Sequence, residues 1–291
     1  MNRIWKWLGL ILLFVEFSLA GEQCTVRLAY QDRVVDGLIV ASIEQNFFAK
    51  EGVLVQGSLF RSGPECSEAL LQGSVDVATM GDAATVILLG NHGNRFQAIL
   101  AHGGSEKRHR IVAQKEIHSL QDLQGKRVAV KFGTSTHAGL MRFLQGKGLK
   151  WNLVDMAPNL QMTALVSREV SAIVASEPTP SQAENKLGVT SLSDLSGLQN
   201  QYPVLLVANK QWNSQNAGCV VKIEKALKNA EEWVKTHPDL LAKSLAERSG
   251  ISISLARKSM AMHDYTVKKP KDFQSSLDRI AEFLRGAGYL D

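Results

Sequence analysis

The residues best placed to do chemistry in this 291-residue chain sit where strands hand over to helices. Three junctions set small polar residues at a helix start: Arg61-Ser62-Gly63-Pro64, Gly81-Asp82-Ala83 and Gly133-Thr134-Ser135-Thr136. The first amides of a helix lack internal partners and lie at the positive end of its dipole, so such starts attract anions. Gly63 and Gly81 let a ligand approach the backbone closely. Arg61 can hold an oxyanion through two parallel N–H bonds. A fourth junction, Tyr30-Gln31, ends a strand, where the Tyr30 ring can stack on a ligand or hydrogen-bond to it. Glu177 precedes Pro178, a helix opener, and suits an ammonium or amidine. Each residue also has a plainer reading. Ser62, Asp82 and Thr136 suit ordinary N-caps, Arg61 suits solvent, and Glu177 suits a helix dipole. Asp82 repels an anion unless capping engages its carboxylate or it accepts a ligand N–H. Three such starts in the two halves of one chain point to a shared anion-binding cleft.

The elements that must position these residues alternate. Strands are predicted at Val26–Tyr30, Val53–Phe60, Val75–Met80 and Phe96–Ala101, separated by helices over Val35–Lys50, Ser62–Leu71 and from Asp82 to about Gly90. A second series runs from Ile111–Gln114 through a short helix at Ser119–Leu123 to strands at Arg127–Val130, Trp151–Met156 and Val170–Ala175. Helices at His137–Gln145 and Pro158–Ser167 join them. Pro203–Asn209 returns as a strand, and the rest of the chain carries helical spacing. Strands alternating with helices imply an α/β fold of two mixed sheets with flanking helices. A second sheet inserted between crossings near 105–112 and 201–205 divides the chain into 21–110 with 205–291, and 111–204. Ligands of open α/β sheets sit beyond the carboxyl ends of the strands, here in a central cleft.

Composition narrows the function. Apolar residues make up 45% and charged residues 21%, which excludes wholesale disorder. Arg3 and Lys6 precede the apolar run Leu8–Val15, and Ser18-Leu19-Ala20 ends in small residues, the pattern of a signal peptide cleaved near Ala20. The run is about half the ~20 residues needed to span a bilayer, so residues 1–20 predict export and cleavage rather than an anchor. Without them 31 basic residues face 27 acidic ones, a modest +4. The one basic cluster, Lys107-Arg108-His109-Arg110, has no aromatic partners, reads as a solvated loop and argues against nucleic acid. Cys24, Cys66 and Cys219 allow one disulfide in an oxidising compartment, with the pair left open. No G-x-S-x-G, H-E-x-x-H or P-loop pattern occurs, and the seven His lack metal-ligand spacing. Cys66 has no clear His or Asn partner. No catalysis, cofactor or metal is expected.

The stretch from Tyr30-Gln31 through Phe47-Phe48-Ala49-Lys50-Glu51-Gly52 to Ser62-Gly63-Pro64-Glu65 resembles a known family. So do Ala69-Leu70-Leu71-Gln72-Gly73-Ser74-Val75-Asp76 with Gly81-Asp82-Ala83, and Ser119 to Val130 with Gly133-Thr134-Ser135-Thr136-His137. They are similar to solute-binding proteins of ABC importers in the nitrate, sulfonate, taurine and thiamine-precursor group, over most of residues 25–210. The resemblance implies a two-lobed periplasmic-binding-protein fold of type II. It implies a monomer that hands a small molecule to an inner-membrane permease driven by a cytoplasmic ATPase. It places ligand contacts at Tyr30, Gln31, Ser62, Gly63, Gly81, Asp82, Thr134, Ser135 and near Glu177. The expected ligand is a small organic anion or zwitterion of the aliphatic sulfonate or taurine kind, with Glu177 meeting any ammonium. A pyrimidine or other nitrogen heterocycle, held by Tyr30, Asp82 and Glu177, is the alternative ligand. An exported enzyme or sensor on the same fold is the alternative of another class.

Overall fold

The computed structural model describes residues 24–290 apart from Asp32. The predicted export segment, residues 1–20, lies outside the described residues. The chain first lays down β1 (Cys24–Tyr30), β2 (Val53–Leu59), β3 (Val77–Gly81) and β4 (Phe96–Gly103). It then crosses to β5 (His109–Ala113), β6 (Arg127–Val130), β7 (Asn152–Asp155), β8 (Ala172–Ser176) and the two-residue β9 (Ser193–Asp194). It returns as β10 (Val204–Asn209). The result is two five-stranded sheets, ordered β2-β1-β3-β10-β4 and β7-β6-β8-β5-β9. Each is mixed: β10 runs antiparallel to β3 and β4, and β5 runs antiparallel to β8 and β9.

Helices cover both faces of each sheet. In the first lobe they are α1 (Gly37–Glu44), α2 (Phe47–Lys50), α3 (Gly63–Leu71) and α4 (Asp82–His92). In the second they are α5 (Ser135–Leu144), α6 (Pro158–Val166) and α7 (Thr179–Leu187). The tail adds α8 (Lys210–Gln215), α9 (Ala217–Thr236), α10 (Pro238–Ser249), α11 (Ile253–Met260) and α12 (Pro270–Gly286). Strand periodicity explains the double covering, because successive side chains point to opposite faces. Leu206 and Ala208 join the apolar cluster under α1, α9 and α10, while Leu205 and Val207 join the cluster under α3, α4 and α12. In the second lobe Ile111 and Val112 divide in the same way. A strand buried on both faces must be largely apolar, as β3 and β10 are, with Thr79 the buried polar exception in β3.

The tail therefore completes the first lobe's core. A Cys24–Cys219 disulfide fastens β1 to α9 across 195 residues of sequence. Closing so long a loop stabilises the fold by about 2–5 kcal/mol. Cys66 is the free thiol; burial pushes it up to about 12 and leaves it inert.

Local expectations fail where one residue changes the backbone. The helix predicted over Val35–Lys50 is divided into α1 and α2, because Asn46 takes a left-handed conformation with φ 57°. The helix predicted at Ser119–Leu123 is a single 3-10 turn, Gln121–Leu123. The basic cluster is no solvated loop. Lys107 is exposed, but Arg108 and His109 are 1% exposed and Arg110 is 9% exposed. Arg108 ends a 3-10 turn, Glu106–Arg108, and His109 and Arg110 begin β5; β8, α7 and the returning chain at Tyr202 bury them.

Candidate functional site

The starts of α3, α4 and α5 converge between the lobes. The α3 and α5 starts approach closely enough that a Cβ on Gly133 would touch Pro64 at 3.5 Å. A Cβ on Gly81 would overlap the Ser135 hydroxyl, so any side chain here forces that hydroxyl aside or the starts of α4 and α5 apart. The space they enclose is a cavity of about 100 Å³, several times the ~10–15 Å³ that a single water requires.

Nine of the eleven residues singled out from sequence line this cavity: Gln31, Arg61, Ser62, Gly63, Gly81, Thr134, Ser135, Thr136 and Glu177. Tyr30 does not. It belongs to the face of β1 that carries Val26 and Leu28, so its ring packs into the first lobe's core beside Gly57, and its hydroxyl meets Arg248. Asp82 does not line it either. Its carboxylate accepts from its neighbour's amide, Ala83 N, at 2.8 Å and from Asn200 Nδ2 at 2.8 Å, within the second crossing. The Asp82 amide in turn donates to Pro203 O. The first two amides of α4 are thus satisfied internally.

The other two starts differ in what they leave free. Ser62 caps α3: its Oγ accepts from Glu65 N at 3.4 Å and donates to Glu65 Oε1 at 2.9 Å. Thr134 caps α5, accepting from His137 N at 3.3 Å and donating to Lys131 O at 2.6 Å. Both hydroxyls are committed to capping. Among the described residues the amides of Gly63, Ser135 and Thr136 donate to nothing, and the buried Ser135 Oγ also lacks a partner.

Arg108 was missed from sequence. It lies 1% exposed just before β5, with Nη1 on Ser176 Oγ at 3.0 Å and Nη2 on Tyr202 O at 3.1 Å. Its Nε has no partner. The carboxylates of Asp82 and Asp36 act on it only from beyond ion-pair distance. Burial pulls this guanidinium down to about 9, with the neighbouring Arg33 acting in the same direction. Arg33, also missed, pairs through Nε with Asp36 at 2.9 Å and keeps a buried Nη2 unpartnered. Arg108 was legible in one respect: β5 is antiparallel, so His109 pairs with Ser176 and the start of β5 lies at the carboxyl end of β8. A rule that looks only at carboxyl ends of strands passes over it.

Glu177 was expected to meet an ammonium, but its carboxylate is already engaged. Oε1 accepts from Arg110 Nε at 2.8 Å and Oε2 from Ser259 Oγ at 3.0 Å. Arg110 also binds Glu184 at 2.9 Å. Burial alone would raise the Glu184 carboxyl, but bonds from Arg110, Lys258 and Ser191 outweigh it and hold it at about 2. His109, Nδ1 on Thr136 Oγ1 at 2.8 Å, is pushed well below its ordinary range by burial and by Arg108, so it is neutral at pH 7. The cavity is accordingly cationic, and its free groups are mostly donors.

Two α/β lobes joined by two crossings, with a cationic cavity where helix starts meet, define a two-lobed solute-binding protein. The chain belongs to the NMT1-like family, whose model matches residues 20–249. A binding protein of Brucella abortus is 25% identical over 246 residues, covering 82% of this chain and 76% of that one. The taurine-binding periplasmic protein of Escherichia coli is 31% identical over 159 residues, 54% of this chain and 47% of that one. The alkanesulfonate-binding protein SsuA of Xanthomonas axonopodis, solved bound to MOPS, shares the fold with a TM-score of 0.84 at 20% identity, covering 94% and 96% of the two chains. Membership makes this a non-catalytic solute-binding component of an ABC importer. It implies a periplasmic location and a partner permease with its ATPase.

Proposed function

We propose that the protein captures a small organic sulfonate between its lobes and presents it, lobes closed, to the permease. One observation carries this reading. Arg108 is a buried guanidinium without a carboxylate partner among the described residues, beside the unpartnered Ser135 hydroxyl and two helix starts with free amides. A buried charge is costly unless paired, and an oxyanion with three equivalent oxygens can take Arg108, Ser135 and a helix-start amide at once. The likeness to a taurine-binding and an alkanesulfonate-binding protein supports the same class. The heterocycle alternative relied on Tyr30 for stacking and on Asp82 for accepting N–H bonds, and both side chains face elsewhere.

Capture then proceeds by hinge closure. The ligand links Arg108 on the second lobe with Gly63 and Arg33 on the first, and exclusion of water strengthens those bonds. A thermal-shift series of the mature protein with ethanesulfonate, taurine, nitrate, bicarbonate and pyrimidines tests it, since a ligand of the native state raises the melting temperature. Sulfonates should give the largest shifts. Stabilisation by a pyrimidine, or by none of the sulfonates, overturns the proposal.

A further inference from the structure

Two neutral amides face each other across the cavity. Gln31 follows directly on β1 in the first lobe and Gln161 lies in α6 on the second; both line the cavity and each is 1% exposed. Gln31 Nε2 donates to Thr79 O at 3.2 Å, and Gln161 Nε2 donates to Met156 O at 3.1 Å. A main-chain carbonyl only accepts, so it fixes which end of each amide it meets. The Oε1 of both residues is therefore the free end, and both oxygens are buried without a partner. Beside the cationic donors that suit an oxyanion, the cavity thus holds two acceptors that require donors from the ligand.

Those acceptors carry no charge. Glu177 is the one carboxylate among the described lining residues, and Arg110 and Ser259 occupy both its oxygens. Arg110 neutralises it and is itself held in place by Glu184. A ligand ammonium here would be stripped of water beside Arg33 and Arg108 with no uncommitted carboxylate among the described residues to receive it.

We infer that the site selects by charge: its ligand is a mono-anionic sulfonate whose hydrogen-bond donors are neutral, a hydroxyl or an amide N–H received by Gln31 and Gln161, and a ligand ammonium is discriminated against. This rests on the sulfonate reading above. It narrows that reading to one side of the anion-or-zwitterion class.

Isothermal titration of the mature protein at pH 7.5 with 2-hydroxyethanesulfonate, ethanesulfonate and 2-aminoethanesulfonate tests it. The three differ only at the second carbon. The hydroxy compound should bind tightest, and the amino compound at least tenfold more weakly than the hydroxy one. The variant Gln161→Glu supplies a carboxylate at nearly unchanged volume and should reverse that order; Gln31→Glu does so from the opposite wall if the first variant fails to fold. Amino binding as tight as hydroxy binding in the native protein, or all three within threefold, overturns the inference and leaves the sulfonate reading standing. Failure of all three to bind overturns the sulfonate reading, and the inference with it.

Discussion

Helices α3 and α5 begin alike and end up with different chemistry. Each opens with a hydroxyl residue capping the first turn, and the two openings face one another across the cavity. At α3 the cap is closed on itself, since Ser62 and Glu65 satisfy each other and Pro64 brings no N–H. At α5 the capping residue Thr134 is likewise committed, but the next residue, Ser135, presents an unpartnered hydroxyl and amide. The second lobe adds Arg108 and the first adds Arg33. A capping hydroxyl is already in use, so the residue available to a ligand is its neighbour. The first lobe's start positions the cavity, and the second lobe's start and β5 supply most of its free donors.

The largest break in that asymmetry is Arg108→Met. Truncating one member of a buried charge pair costs about 2–5 kcal/mol of binding. Sulfonate affinity should therefore fall at least about thirtyfold by titration calorimetry. The ligand-free protein should lose little stability, because the substitution also removes a buried charge that no carboxylate pairs. A large drop in the apo melting temperature would make Arg108 a structural residue instead.

Glu184→Gln probes the neutralised carboxylates of the same lobe. The Glu184 pKa is depressed in the folded protein to about 2, so its stabilising contribution is present above its unfolded value and is lost as pH falls toward 2. The variant should cost about 2 kcal/mol at pH 7. It should also flatten the acid limb of a stability–pH curve, measured by urea unfolding, between about pH 4.5 and 2. An acid limb unchanged in the variant would show that Glu184 does not govern it.

Gly81→Ala sharpens the comparison at the contact between the lobes. The added methyl meets Ser135 Oγ. Weakened sulfonate binding, about five- to tenfold, should be partly rescued by Ser135→Ala in the same chain, because that second change removes the obstructing oxygen. Ser135→Ala alone should also lose about 1 kcal/mol of affinity, the worth of one hydrogen bond. Strictly additive effects in the double variant would mean that the two residues do not meet in the closed form.

What the sequence disclosed follows from how far each feature depends on distant residues. The alternation of strands and helices is written in local apolar spacing, and N-cap chemistry involves only the next three residues. The two-lobed α/β class and the positions of Ser62, Gly63, Thr134 and Ser135 beside the cavity were therefore legible. Arg108 and Arg110 were not. Their burial depends on β8, α7 and the returning crossing at Tyr202, up to 94 residues away. A run of four basic residues looks solvated until those partners are known. Tyr30 and Asp82 failed for a related reason. Each sits at the correct end of its strand, but the facing of β1 turns Tyr30 into the core, and Asn200, 118 residues further on, draws Asp82 away. Glu177 lines the cavity, yet Arg110 and Ser259 determine what its carboxylate can do.

The smallest effect separates position from function most cleanly. Ser62→Ala removes the α3 cap, and loss of such a cap costs about 1 kcal/mol of stability. The Ser62 hydroxyl donates to Glu65, so a ligand gains nothing from it directly. Sulfonate affinity should stay within about twofold while the melting temperature drops by a few degrees. Ser135→Ala should do the reverse, lowering affinity with little change in stability, since its hydroxyl caps nothing and bonds to nothing among the described residues. The two serines lie one position out of step at the two helix starts, Ser62 as the cap of α3 and Ser135 as the first helical residue of α5, so measuring both variants under one set of conditions cancels general effects of removing a hydroxyl and leaves the difference in position. If Ser62→Ala weakens binding as much as Ser135→Ala does, the two starts act as equal halves of the anion site, and the asymmetry between the lobes fails.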